Sequence, residues 1–131
     1  MLTEKDYCDY DTCVALKELG YVGICDAYYE LTGTKEYNRD SFEILYTREF
    51  IHPDDIDRVA APLLYQAQKW LREEKKIHIA IDLLKPKWYP TIISYNRLKS
   101  VELSSCESYE EALLEGIKEA IKILKEESNG N

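Results

Sequence analysis

Ile77-His78-Ile79-Ala80-Ile81-Asp82, then Leu84-Lys85-Pro86-Lys87, then Trp88-Tyr89-Pro90-Thr91-Ile92-Ile93-Ser94-Tyr95 is the stretch whose reading decides the fold. Ile77, Ile79 and Ile81 alternate with His78, Ala80 and Asp82, the period of a strand with one face on a core. Leu84 to Lys87 makes the connection and residues 88–95 return, so the stretch predicts an antiparallel hairpin. Pro90 has no N–H to give to a ladder and is therefore expected near a strand start or on an outer edge. Val101 and Leu103 add a short further strand.

On both sides of the hairpin the period changes to that of a helix. Pro62 pushes Ala61 toward an extended conformation and itself suits the first helical position, so a helix is expected over 62–75. Leu63, Leu64, Ala67, Trp70 and Leu71 form its apolar stripe. Ser108 and Glu111 have the spacing of a capping box and open a helix over 108–126. Its inward face reads Leu113, Gly116, Ile117, Ala120, Ile121 and Leu124, and a glycine kept there despite a helix penalty of about 1 kcal/mol implies close approach to the sheet. Toward the N-terminus, Asp9 to Thr12 supply cap candidates for a short helix over 10–19, ended by Gly20. Residues 21–31 read as a strand with Tyr28 and Tyr29 on opposite faces, paired with 42–47. Pro53-Asp54-Asp55-Ile56-Asp57 reads as a turn. The expected fold is α+β: a small antiparallel sheet packed against two main helices, plus a short N-terminal helix. It is expected as a single domain over 1–131, with 1–8 and 128–131 frayed.

At 131 residues the chain is long enough to bury a core without metal or disulfide staples. A formal charge of −8 argues against direct nucleic-acid binding, which depends on Lys and Arg neutralising phosphates. The opening Met1-Leu2-Thr3-Glu4-Lys5-Asp6 is too polar for a signal peptide, and no apolar run reaches the length of a membrane helix. A cytoplasmic protein is expected, with Cys8, Cys13, Cys25 and Cys106 as free thiols.

Ala61-Pro62, Gln66-Ala67-Gln68-Lys69-Trp70-Leu71-Arg72-Glu73, Ile77-His78-Ile79, Trp88-Tyr89 and Ser108-Tyr109-Glu110-Glu111-Ala112-Leu113 together resemble a family of short uncharacterised (hypothetical) proteins of Bacteroidetes chromosomes, phages and mobile elements. The resemblance covers residues 61–125 and implies a fold and a genomic setting, with no reaction, ligand or cofactor attached. A weaker likeness is to HicB-type antitoxins, whose sheet is followed by a helix similar to Tyr109-Glu110-Glu111-Ala112-Leu113. The turn before that helix differs here, reading Ser104-Ser105-Cys106, and no DNA-binding segment follows.

Catalytic motifs fail on context. Pro53-Asp54 with Glu73-Glu74-Lys75 matches a loose nuclease pattern, but Glu and Lys fall in a helix end where that chemistry needs them on one strand. His52 and His78 have no partner at metal-site spacing, and no metal or cofactor is expected. For an enzyme, the polar cluster to consider is Asp26, His52, Asp54 and Asp55. Eleven tyrosines are the unusual feature of the composition, and tyrosine gives rigid contact area with a polar tip. Tyr28, Tyr29, Trp88, Tyr89 and Tyr95 are the candidate interaction residues. The expectation is a non-enzymatic accessory domain that binds another protein, with a HicB-like or acidic antitoxin or inhibitor, and a small hydrolase or nuclease, as alternatives.

Overall fold

The computed structural model describes residues 2–23, 25–31, 44–47, 50–96 and 99–129. The chain divides into two compact units, Met1–Leu63 and Leu64–Asn131. The fold is α+β, with three α-helices and two small antiparallel sheets of three strands each among the described residues.

The first unit opens with a 3-10 turn at Glu4–Asp6 and helix α1 at Tyr10–Glu18. Asp9 caps α1, its carboxylate accepting from the Thr12 N–H at 3.0 Å. At the other end Gly20 has φ +91°, its N–H donates to Lys17 O and the Tyr21 N–H donates to Leu16 O, a Schellman stop that only a residue tolerant of positive φ closes without strain. Strands β1 (Ala27–Glu30), β2 (Leu45–Tyr46) and β3 (Arg58–Ala60) follow, in the order β2-β1-β3. The register pairs Ala27 with Tyr46 and Tyr29 with Val59. The pairing of the two tyrosine-bearing segments is thus as the sequence predicts, but the strand is shorter than 21–31, and Phe42 lies outside the described residues.

Two expectations in this unit are corrected. Residues 1–8, expected to fray, include Tyr7 and Cys8 as core side chains. Cys8 N–H donates to Pro62 O at 3.0 Å, and Tyr7 bridges Leu63. That same pairing holds 61–63 extended after β3, with Ala61 N–H donating to Ala27 O. Pro62 is therefore not the first helical residue, and helix α2 begins two positions later, at Leu64–Lys75.

In the second unit α2 passes into strand β4 (Ile77–Leu84) through Lys76 alone. Lys76 makes that reversal with φ +58° and returns its ammonium to Glu73 O at 2.8 Å. β4 pairs with β5 (Lys87–Ser94) across a two-residue turn with a cis Lys85–Pro86 bond, and β5 pairs with β6 (Lys99–Glu102). Helix α3 (Tyr109–Asn129) lies over β4 and β5 and beside α2. Ile77, Ile79, Ile92, Leu71, Leu113 and Ile117 are fully or almost fully buried in this layer. Ser108 caps α3 as its spacing predicts, accepting from the Glu111 N–H at 3.1 Å. The return arm lands one residue early, Glu111 accepting from the Glu107 N–H.

Pro90 sits in β5, the middle strand, and is buried, contrary to the expected edge placement. Its carbonyl accepts from the Leu103 N–H at 3.0 Å, so its nitrogen faces the same neighbour, because a strand residue turns both main-chain groups to one side. Glu102 stands opposite Thr91 and Cys106 opposite Trp88. Leu103, Ser104 and Ser105 therefore face only Pro90 and Tyr89, a β-bulge located where the proline has no donor to offer.

Gly116 makes the close approach its position implies. A Cβ there would lie 2.4 Å from Ile79 Cγ2 and 3.5 Å from Pro90 Cβ. Gly116→Ala is expected to destabilise the protein by about 1–2 kcal/mol in urea unfolding, since overpacking outweighs the gain in helix propensity. In an Ile79→Ala background, where the clashing methyl is gone, the same change should be neutral or stabilising. Stabilisation of the wild-type chain by Gly116→Ala would refute the contact.

Candidate functional site

Of the polar cluster Asp26, His52, Asp54 and Asp55, three side chains are engaged in local structure, and the Asp54 carboxylate is 91% exposed. Asp55 Oδ1 accepts from the Asp57 and Arg58 N–H groups, both at 2.8 Å, while Oδ2 accepts from Arg58 Nε at 3.2 Å and Nη2 at 3.1 Å. The Asp57 N–H, together with the Arg58 main chain and guanidinium, holds the Asp55 carboxyl below the usual range, against a smaller opposing effect of burial. Exposed His52 accepts the Asp54 N–H on Nδ1 at 3.1 Å, closing its own turn. Asp26 accepts from Tyr7 Oη at 3.0 Å. Burial and that hydrogen bond push the Tyr7 hydroxyl up to about 12. The cavity beside His52, lined also by Cys13, Lys17 and Tyr21, has a volume of 10 Å³, too small for a substrate. Glu73, Glu74 and Lys75 close α2, where the nuclease pattern needs them on a strand. Among the described residues no group of three or more His, Cys, Asp or Glu could hold a metal ion, and no helix is long and apolar enough to cross a membrane.

The five aromatic candidates are divided between the two units. Tyr29 is 3% exposed, its hydroxyl 3.4 Å from Cys8 O and its ring edge-on to Tyr10. Tyr28 is half-buried beneath the Arg58 guanidinium, 5.7 Å from the ring centre. Trp88 and Tyr89 are adjacent on β5 and so turn to opposite faces of the sheet. Trp88 meets Tyr109 of α3 edge-on at 5.4 Å, and both Trp88 and Tyr89 are half-buried. Tyr95 is 48% exposed just beyond β5.

A larger recess lies along β6. With α3 over β4 and β5, a groove of about 690 Å³ opens between the helix and the segment Leu103–Glu107 that follows β6. Leu103 and Cys106 line it on the sheet side and Leu114 on the helix side. Glu111, Glu115 and Glu119, spaced at i, i+4 and i+8, form one row along its helical wall, with Lys118 and Lys122 beside them. Glu107 at one end is held by Lys87. The thiol of Cys106 is pushed up by partial burial and by Glu115, Glu111 and Glu107, opposite to the lowered thiol of a catalytic cysteine, so it reacts only slowly near neutral pH. Among the described residues β6 pairs on one side only, and its end at Glu102 leads into Leu103 on the groove wall. Leu103 N–H points to Pro90, and by alternation Val101 also faces β5, while Ser100 and Glu102 turn their main-chain groups outward. Sequence reasoning passed over this site because Glu111 reads as the capping-box partner of Ser108, and Glu115 and Glu119 fall on the side of α3 away from its inward face. Their common row at helical spacing was the available signal.

No family model, curated protein or solved structure matches the chain.

Two outcomes are expected from this geometry. The lowered Asp55 carboxyl contributes stability above the ordinary Asp range, and that contribution is lost as pH falls through the folded value, below about pH 4. Asp55→Asn should therefore lower the thermal midpoint at neutral pH and flatten its fall in acid, while Asp54→Asn leaves both unchanged; an unaltered acid profile in Asp55→Asn would remove Asp55 from the turn's stability. Separately, Cys8, Cys13 and Cys25 are buried and Cys106 is not. A thiol reagent at about pH 8 should modify native protein at Cys106 alone, lose that site in Cys106→Ser, and reach all four cysteines after unfolding. Fast modification of Cys8 or Cys13 in native protein would contradict the packing of the first unit.

Proposed function

We propose that the chain is a non-enzymatic domain that binds another protein, and that the groove between the β6 bulge and α3 is its recognition surface. The observation that carries this reading is the contrast between the two candidate regions. Of the residues that an enzyme would use, Asp26, His52 and Asp55 each hold a tyrosine hydroxyl or a turn, His52 borders a cavity of only 10 Å³ and Asp55 a polar, open recess of about 560 Å³, whereas the groove is open, partly apolar and continues from a strand whose outer edge has no partner among the described residues. Peptide-sized partners are commonly held by such combinations of edge and pocket. The acidic balance of the chain favours a basic partner over nucleic acid. Placement in a phage-like or mobile region, within the cytoplasm, rests on the resemblance of residues 61–125 and on the composition. Trp88 and Tyr89 remain a second contact region, at the same sheet as the groove.

A photo-activated cross-linker placed at Leu114 in cells that carry the native gene neighbourhood tests this. A discrete adduct with a second polypeptide is expected at Leu114. None is expected at Ile56, which is 85% exposed in the first unit. Equal adducts at the two positions, or none at Leu114, would count against the groove as a protein-binding surface.

A further inference from the structure

We propose that the groove accepts one kind of occupant: an extended, lysine- or arginine-rich segment of a partner protein, added as a fourth strand along the free edge of β6. The inference rests on the protein-binding reading above and specifies the partner's chemistry. Three observations lead to it. The first is the edge itself, where, among the described residues, Ser100 and Glu102 present outward main-chain donors and acceptors on the strand that leads into the groove wall at Leu103. An added strand satisfies those groups and gains affinity through its backbone. The second is length. The helical wall from Glu111 to Lys122 spans about 16 Å at about 1.5 Å per residue, matching about five residues of extended chain at about 3.3 Å each.

The third observation is charge. Four glutamates line the groove against two lysines, and Glu111, Glu115 and Glu119 stand in a single row. Side chains of an added strand alternate between faces, so every second one would point toward this wall. Lysine or arginine there can lay its aliphatic stem over Leu103 and Leu114 and bring its charged end to the carboxylates. A nucleic-acid strand is excluded as occupant by the same glutamates. A second copy of this chain is a poor match, because joining two such edges brings two glutamate rows together.

The test uses the full chain and two fluorescent hexapeptides, one alternating lysine with threonine and one alternating glutamate with threonine, followed by anisotropy. The lysine peptide is expected to bind, and the glutamate peptide is not. A Glu115→Lys/Glu119→Lys variant should bind the lysine peptide at least tenfold more weakly. Hydrogen exchange on wild-type protein provides a readout independent of the variant's folding: the amides of Ser100 and Glu102 should slow when the lysine peptide is bound. Affinity unchanged by the double substitution, protection confined to residues away from β6, or no binding at millimolar peptide would each overturn the proposal. So would a concentration-dependent dimer with β6 amides protected in the absence of peptide, which assigns the edge to a second copy. If the peptide fails while Leu114 still cross-links a partner, the basic extended occupant is wrong and the protein-binding reading stands; failure of both sinks the reading itself.

Discussion

The second unit depends on the contact of α3 with the sheet at Gly116. With no side chain there, the helix backbone settles against Ile79 and Pro90, and the neighbouring Leu113, Ile117 and Ala120 reach the core on either side. A helix held this closely has little freedom to slide across the sheet, because interdigitated cores are close-packed and respond to displacements of one methyl. Its axis is committed to β4 and β5. The groove follows from that commitment, opening between a helix anchored at Gly116 and the segment Leu103–Glu107 beyond β6.

The first unit is organised by carboxylates acting on the main chain. Asp9 satisfies a free N–H at the start of α1, and Asp55 gathers two N–H groups and a guanidinium at the entry to β3. Each arrangement fixes where an element begins. A side chain fully engaged with backbone donors in this way is poorly placed for proton transfer or metal binding, whatever its neighbours in sequence.

Much of the fold was legible because the period of the apolar residues changes sharply at Ile77 and again after Cys106. Helices at 10–19, 62–75 and 108–126 and the hairpin of 77–84 with 88–95 all agree with the structure to within a few residues. What escaped notice was set by contacts distant in sequence. β3 has only three residues, and its strand character comes from pairing with β1. The start of α2 is delayed because Cys8 and Tyr7 claim Pro62 and Leu63. Pro90 was read by the local rule that keeps proline out of middle strands, and the bulge in a strand beginning nine residues later is what relieves that rule. For the candidate site, residue types alone favoured Asp26, His52, Asp54 and Asp55, whereas the groove depends on where α3 lies over the sheet, which no local pattern encodes.

The proline in β5 also selects among alternative alignments of the sheet. Sliding β6 by two residues along β5 would keep every apolar side chain on its proper face, so hydrophobic patterning does not forbid that error. In the native alignment Pro90 meets the bulge of Leu103, Ser104 and Ser105. A slip that sets it against the regular stretch of β6 would leave a ladder carbonyl without a donor, a loss of about 1–3 kcal/mol where that carbonyl is buried. The missing hydrogen thereby acts as an index mark that distinguishes one alignment of the two strands from its near-equivalents.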